Sequence, residues 1–267
     1  MALVEDDRIK TPVPKPELLY EPLLDGVRVD KVIGIVSGKG GVGKSLVTSM
    51  MAVEARRLGK GTAILDADIT GPSIPKSFGL TGFIEAQGEY ILPMKSRTGI
   101  QVVSTNFFLP EETEPVIWRG PILAGTVKQF WGETLWEDVD LMLVDMPPGT
   151  GDVPLTVFQS LPLAGIIIVT TPQELVSMIV KKAVNMAGQM NVPVLGIVEN
   201  MASFTCPDCG KTHYLFGKSR VGEIAEAYGI QYAISLPMDP PVTGLVDQGR
   251  IEEYESKQLA GLVKELV

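Results

Sequence analysis

Apolar positions along the chain fall into short β-branched runs separated by longer stretches with helical spacing. Val32–Ser37, Thr62–Leu65, Leu141–Val144, Ile166–Thr170 and Val194–Val198 are almost continuously apolar rather than alternating. That pattern predicts strands buried on both faces. Lys44–Leu58 places Leu46, Val47, Met50 and Met51 on one helical face, and Gly59-Lys60-Gly61 closes it. Gly120–Trp131 is expected to be helical, with Pro121 in the first turn, where a missing N–H costs nothing. Further helices are expected within 173–189, 218–228 and 254–266. Residues 74–118 carry two short strand candidates, Ile91-Leu92 and Ile100–Val103, among turn residues. Repeated strand–helix units predict an α/β fold: a doubly wound, mostly parallel sheet with helices on both faces. Ahead of it, Pro12, Pro14, Pro16 and Pro22 among charges predict an extended arm over 1–30, with 31–267 as one domain. Leu18-Leu19-Tyr20 and Leu23-Leu24 offer that arm apolar anchors on the body.

The first strand runs into Gly38-Lys39-Gly40-Gly41-Val42-Gly43-Lys44-Ser45. This is G-x-x-x-x-G-K-[ST], a phosphate-binding loop in its required place between strand and helix. Its glycines let successive N–H groups turn inward as an anion nest, and the helix start adds its dipole. Lys44 is placed to reach the β- and γ-phosphates, and the Ser45 hydroxyl to ligate Mg²⁺. The Leu46 N–H is also available to a phosphate.

Acidic residues gather at the carboxyl ends of other strands, where open parallel sheets bind ligands. Asp145 follows Leu141–Val144 and reads as the acid that holds Mg²⁺ through water. It opens Asp145-Met146-Pro147-Pro148-Gly149-Thr150-Gly151-Asp152, a loop whose glycines allow a backbone N–H to approach the γ-phosphate and release it after hydrolysis. Asp66 and Asp68 follow the second strand. Asp68 is the candidate that positions the attacking water, and Asp66 the one that orients loop backbone or metal waters.

Composition narrows the setting. A chain of 267 residues, 45% hydrophobic and 21% charged, suits one large globular domain. A formal charge of −9 argues against a general nucleic-acid binder. No apolar run approaches the roughly 20 residues of a membrane span, and Met1–Asp7 does not read as a signal peptide. The cytoplasm is the expected compartment. Cys206 and Cys209 are the only cysteines, too few for a disulfide framework. Cys206-Pro207-Asp208-Cys209-Gly210 has the form of a metal knuckle suited to zinc or an iron–sulfur cluster. A redox-active pair is the other reading of such spacing. A full thiolate site normally needs about four ligands, which a symmetric dimer would supply. His213, the only histidine, is expected to be a surface or packing residue rather than a third ligand.

The loop lysine Lys39 makes the phosphate loop resemble that of the MinD-like partitioning, nitrogenase-iron-protein and tail-anchored-targeting ATPases. Together with Asp66–Ser73, Trp118-Arg119-Gly120-Pro121, Asp145–Asp152, Thr170-Thr171-Pro172-Gln173, Glu199-Asn200-Met201 and the Cys-Pro-x-Cys segment, it makes residues 31–250 resemble the Mrp/ApbC-type iron–sulfur carrier ATPases. The resemblance implies a homodimer in which Lys39 crosses to the partner's nucleotide. It also implies ATP binding with slow hydrolysis, and a labile 4Fe-4S cluster held between two cysteine pairs, taken from a donor and delivered to apoproteins. It further implies that Asn200 bonds the adenine and that a residue near Pro237 packs on it. Leu46 stands where the family usually has Thr. Neither nucleic acid nor membrane is expected as a partner. Three other readings compete: a MinD/ParA-like positioning ATPase, against which the acidic tail Ile251–Lys257 speaks; a nucleotide switch with structural zinc; and a nitrogenase-type reductase, whose cluster cysteines are far apart in sequence.

Overall fold

The computed structural model describes residues 20–68, 73–108, 120–149, 151–172 and 176–267. The prolines of the arm at 12, 14 and 16, its anchors Leu18 and Leu19, and Trp118, Arg119, Thr150 and Gln173 lie outside these residues. Among the described residues the strands are β1 Val29–Ser37, β2 Thr62–Asp66, β3 Glu85–Gln87, β4 Tyr90–Leu92, β5 Met94–Lys95, β6 Gln101–Ser104, β7 Val139–Asp145, β8 Leu163–Thr170, β9 Val194–Glu199, β10 Phe204–Thr205, β11 Thr212–His213 and β12 Tyr232–Ser235. The helices are α1 Lys44–Arg57, α2 Ser73–Phe78, α3 Gly120–Gly132, α4 Asp152–Ser160, α5 Val176–Gln189, α6 Val221–Ala227, α7 Pro240–Asp247 and α8 Lys257–Leu266.

Eight strands form one sheet in the order β12-β9-β8-β1-β7-β2-β6-β5, parallel throughout except for the antiparallel edge strand β5. From β1 the chain passes to β2 and outward to β6, returns to insert β7 between β1 and β2, then crosses to build β8, β9 and β12 on the other side of β1. That reversal puts a crevice beyond the carboxyl end of β1, where the phosphate loop begins.

Strand alternation divides the core into two layers. Val32 and Val36 face one side of the sheet with Phe130, Trp131, Phe158 and Met186, from α3, α4 and α5. Ile33 and Ile35 face the other with Val47, Met51, Phe78 and Leu262, from α1, α2 and α8. Both faces of β1 are therefore dry, and each such side chain contributes about 1.5–3 kcal/mol by leaving water. This rigid platform fixes where the phosphate loop starts.

The five apolar runs are all strands of this sheet, and the two short candidates in 74–118 fall in β4 and β6. Elements missed by periodicity are short or begin at prolines. Helix α7 opens with Pro240 and Pro241 at its first positions, where proline is favoured. The end of the arm is integrated into the body: the Glu21 N–H donates to Ser160 O at 2.8 Å, and Trp131 Nε1 donates to Glu21 O at 2.8 Å. Leu23 and Val27 pack on the core, and β1 already begins at Val29.

Candidate functional site

The phosphate loop leaves β1 at Ser37 and enters α1 at Lys44. Gly41 and Gly43 have φ of +79° and +83°, the left-handed region that side chains with a Cβ avoid. At Gly43 a second constraint acts: a Cβ there would lie 2.3 Å from Asn200 Nδ2. Asn200 follows β9, and its Nδ2 donates to Val42 O at 3.0 Å while its Oδ1 accepts from the Met201 N–H. Asn200 thus braces the loop across the sheet, a role additional to the base contact expected from the resemblance.

Lys44 is buried. Its Nζ lies 2.7 Å from Asp145 Oδ2 and 3.2 Å from Asp68 Oδ2. Burial alone would lower its pKa. The charges of Asp145 and Asp68 outweigh burial and raise it, so the ammonium stays protonated. Ser45 Oγ donates to Asp145 Oδ2 at 2.6 Å, and Thr48 Oγ1 donates to Asp145 Oδ1 at 2.7 Å. The structure therefore brings Lys44, Ser45, Asp68 and Asp145 together. Thr48 had no sequence signal, because a threonine one turn into an apolar helix reads as packing.

Asp66 pairs in register with Asp145 on neighbouring strands. Burial, then the Asp145 charge, pushes its pKa well above the usual carboxylate range, although Ser104, Lys44 and the Asp68 N–H oppose this. Its Oδ1 accepts from the Asp68 N–H at 3.1 Å and its Oδ2 from Ser104 Oγ at 2.8 Å. Asp66 thus holds the backbone at Asp68.

After β7, Gly149 lies against the start of the phosphate loop. Gly149, at φ +92°, donates its N–H to Ser37 O at 2.8 Å. Pro148 lines the phosphate crevice, and Gly151 precedes α4.

Two adjoining cavities share Leu46. One, of about 410 Å³, is walled by residues 39–46, Asp68, Lys76 and Pro148. Lys39 lies on its rim and is exposed. The other, of about 290 Å³, is largely apolar and includes Met50, Asn200, Phe204, Pro237, Met238 and Tyr254 in its walls. Asn200 and Pro237, assigned to the base by resemblance, thus line one pocket beside the phosphate loop. Met238 adjoins Pro237 there, whereas Phe204 and Tyr254 were not foreseen, since nothing local in sequence joins them. A crevice with an anion nest at one end and a flat apolar slot at the other fits a purine nucleotide.

The cysteines sit on a separate hairpin. Strands β10 and β11 pair antiparallel, the Cys206 N–H donates to Lys211 O at 3.0 Å, and the Gly210 N–H donates to Cys206 O at 2.9 Å. Backbone N–H groups of Cys209 and Asp208, with the Cys209 side chain, stabilise the Cys206 thiolate and lower its pKa. Cys206 is half-buried and Cys209 exposed, both as free thiols. Among the described residues, no cluster of three or more His, Cys, Asp or Glu is placed to hold a metal. His213 is exposed on β11 and does not complete a site within one chain. Directly after it, Tyr214, Leu215 and Phe216 are 51%, 61% and 42% exposed.

Comparison with known proteins gives consistent results. Residues 28–267 match the model of the NUBPL iron-transfer P-loop NTPases. The chain is 45% identical over 234 residues to an iron–sulfur cluster carrier protein of Clostridium perfringens, covering 85% of this chain and 82% of that one. A solved structure of a nucleotide-binding protein from Archaeoglobus fulgidus, in complex with ADP and with cobalt found in it, superposes with a TM-score of 0.78. It is 45% identical and covers 86% of this chain and 90% of its own. The septum site-determining protein MinD of Pyrococcus horikoshii, solved with Mg-ADP, shares the fold at a TM-score of 0.62 and 18% identity, covering 89% of this chain and 96% of its own.

Proposed function

Since the chain belongs to the NUBPL iron-transfer P-loop NTPase family, we propose that it is an ATP-hydrolysing carrier of iron–sulfur clusters. In this reading it works as a homodimer and takes up and delivers a labile 4Fe-4S cluster. The observation that carries the reading is one chain holding a complete nucleotide crevice and a half-complete thiolate site. The knuckle supplies two thiolates with N–H groups turned to Cys206, and no third ligand stands near them among the described residues. A second copy brings two more, the number a four-iron cluster requires. Tyr214, Leu215 and Phe216 give each copy apolar surface beside its cysteines.

The crevice residues take distinct roles. ATP draws Lys44 from Asp145 and Asp68 onto its phosphates, because the phosphate charge exceeds that of either carboxylate. Ser45 and Asp145, hard oxygen donors in contact at 2.6 Å, fit Mg²⁺. An ion held by these two residues would supply positive charge against the phosphates. Asp68, released from Lys44, accepts a hydrogen bond from the attacking water and orients it. Lys39 on the rim is in place to reach a partner's nucleotide. The cytoplasm suits free thiols, and no helix among the described residues is long and apolar enough to cross a membrane.

The test is anaerobic reconstitution with iron and sulfide, wild type beside Cys206→Ser/Cys209→Ser. About four irons and four sulfides per dimer, transferable to an apoprotein and absent from the variant, is the expected result. Tightly held zinc without sulfide, and no transferable cluster, would overturn it and leave a zinc-stapled nucleotide switch.

A further inference from the structure

The cysteine hairpin and the base pocket share a wall. The chain leaves β9 at Glu199, passes Asn200 and Met201 in the pocket, and reaches Cys206 within a few residues. A second segment, Leu236–Asp239, runs beside it and also lines the pocket. The two are zipped together by backbone bonds: Leu236 N–H to Glu199 O at 2.9 Å, Ala202 N–H to Leu236 O at 2.8 Å and Met238 N–H to Ser203 O at 2.7 Å. The zip ends in a parallel bridge between Phe204 and Met238. Phe204 also belongs to β10, where it pairs with His213 across the cysteine hairpin. A single residue is therefore a wall of the base pocket, the last rung of the zip and the first rung of the hairpin. Met201 is held at φ +59°, an uncommon conformation for a residue with a Cβ, so the path into Phe204 is constrained and not a slack loop.

We propose that Phe204 is a positioning residue that ties occupancy of the base pocket to the geometry of the cysteine pair. A purine in the pocket packs on Phe204 and Met238, fixes their pairing, and holds β10 with Cys206 in one placement. An empty pocket lets the bridge open, and the hairpin swings about Ser203. The coupling is reciprocal: whatever locks the cysteines also stiffens one wall of the base pocket. The proposal rests on the nucleotide-driven carrier reading for its purpose, but its geometry stands on this chain alone.

The test uses the metal-free full-length protein, with iodoacetamide as the thiol probe and ADP as the pocket ligand. Alkylation of Cys206 and Cys209 is followed by mass spectrometry with and without saturating ADP. Wild type is expected to change its alkylation rate by about fivefold or more on adding ADP, the lower end of ordinary coupling between sites. Phe204→Ala and Met238→Ala are expected to bind ADP, more weakly, and to lose that rate difference at saturation. Phe204→Leu, which refills the wall, restores much of it, and His213→Ala, on the hairpin but outside the pocket, keeps it whole. A merely structural role for Phe204 would change both rates together and leave their ratio intact. The proposal fails if wild type shows no ADP effect on its thiols. It also fails if either alanine variant, shown to bind ADP, keeps the full effect. Iron–sulfide reconstitution of wild type separates the two ideas: an ADP effect without a transferable cluster sinks the carrier reading alone, and a transferable cluster with no ADP effect sinks this one alone.

Discussion

Gly43→Ala tests the brace between the two halves of the nucleotide site. At φ +83° an alanine costs about 1–2 kcal/mol of backbone strain. Its Cβ would also lie 2.3 Å from Asn200 Nδ2, so the amide must move off Val42 O, which it holds at 3.0 Å. Val42 is buried, and losing that bond leaves a carbonyl without its donor, worth about 1–3 kcal/mol. The expected total is about 2–5 kcal/mol. Asn200→Ala alone loses the bond without the strain, about 1–3 kcal/mol. In the Asn200→Ala background the new Cβ meets no amide, so Gly43→Ala should then cost only the strain, about 1–2 kcal/mol. The cycle is read by urea unfolding of the nucleotide-free protein, with equal slopes as the check that the denatured state is unchanged. A shortfall from additivity of about 1–3 kcal/mol is expected. Costs that add within about 0.5 kcal/mol would refute the brace.

Three more outcomes follow from the same geometry. Asp68→Asn should lower ATP turnover by about 10²–10⁴-fold and leave nucleotide affinity little changed, since it relieves Lys44 of one competing carboxylate; turnover near wild type, measured as phosphate release, removes Asp68 from the mechanism. Gly38→Ala puts a Cβ 2.3 Å from Ile179 Cγ2 on α5 and should cost about 1–3 kcal/mol, and Ile179→Ala in the same chain should recover most of it; a cost unchanged by that second substitution would show that α5 is not the obstacle. Burial, then its hydrogen bond to Asp239, pushes the Tyr254 phenol up to about 12. Because the folded-state value is the higher one, its stabilising contribution is complete below the unfolded phenol's pKa of about 10 and fades as pH rises through 12, so Tyr254→Phe should delete the last phase of tyrosinate absorbance; a wild type whose tyrosines all ionise near their ordinary value contradicts this.

What the sequence made legible is what is local. The phosphate loop reads directly because strand, glycines, Lys44, Ser45 and helix are consecutive, and the cradle is built from their own backbone. Asp145 and Asp68 read almost as well, because apolar strands of a parallel sheet deliver their carboxyl-end residues to one edge. Asn200 illustrates the limit. Its position after a strand suggested the crevice, yet its bond to Val42 joins residues 158 apart and depends on the strand order β9-β8-β1, which no local pattern encodes. Thr48 fails for the opposite reason: it is close in sequence to Ser45, but a hydroxyl in an apolar helix carries no sign of the carboxylate it meets.

The cysteine pair lies between these cases, and the difference bears on how the proposed coupling would work. Its knuckle is local, so Cys206, Cys209 and the turn glycine are enough to suggest a metal site from sequence. Its connection to the rest of the molecule is not local, because it depends on Phe204 meeting Met238 and on Ser203 meeting the Met238 N–H. The phosphate end of the crevice is anchored in the rigid sheet through β1. The base end is walled in part by a zip of few backbone bonds at the margin of the sheet, beyond β12. Nucleotide binding therefore acts on one stiff end and one compliant end, and motion is expected where bonds are fewest and exposure is highest. That is where the hairpin hangs. On the proposed coupling, a thiolate pair mounted directly on β8 or β9 would be held as firmly as Lys44 and would show no nucleotide effect on its alkylation.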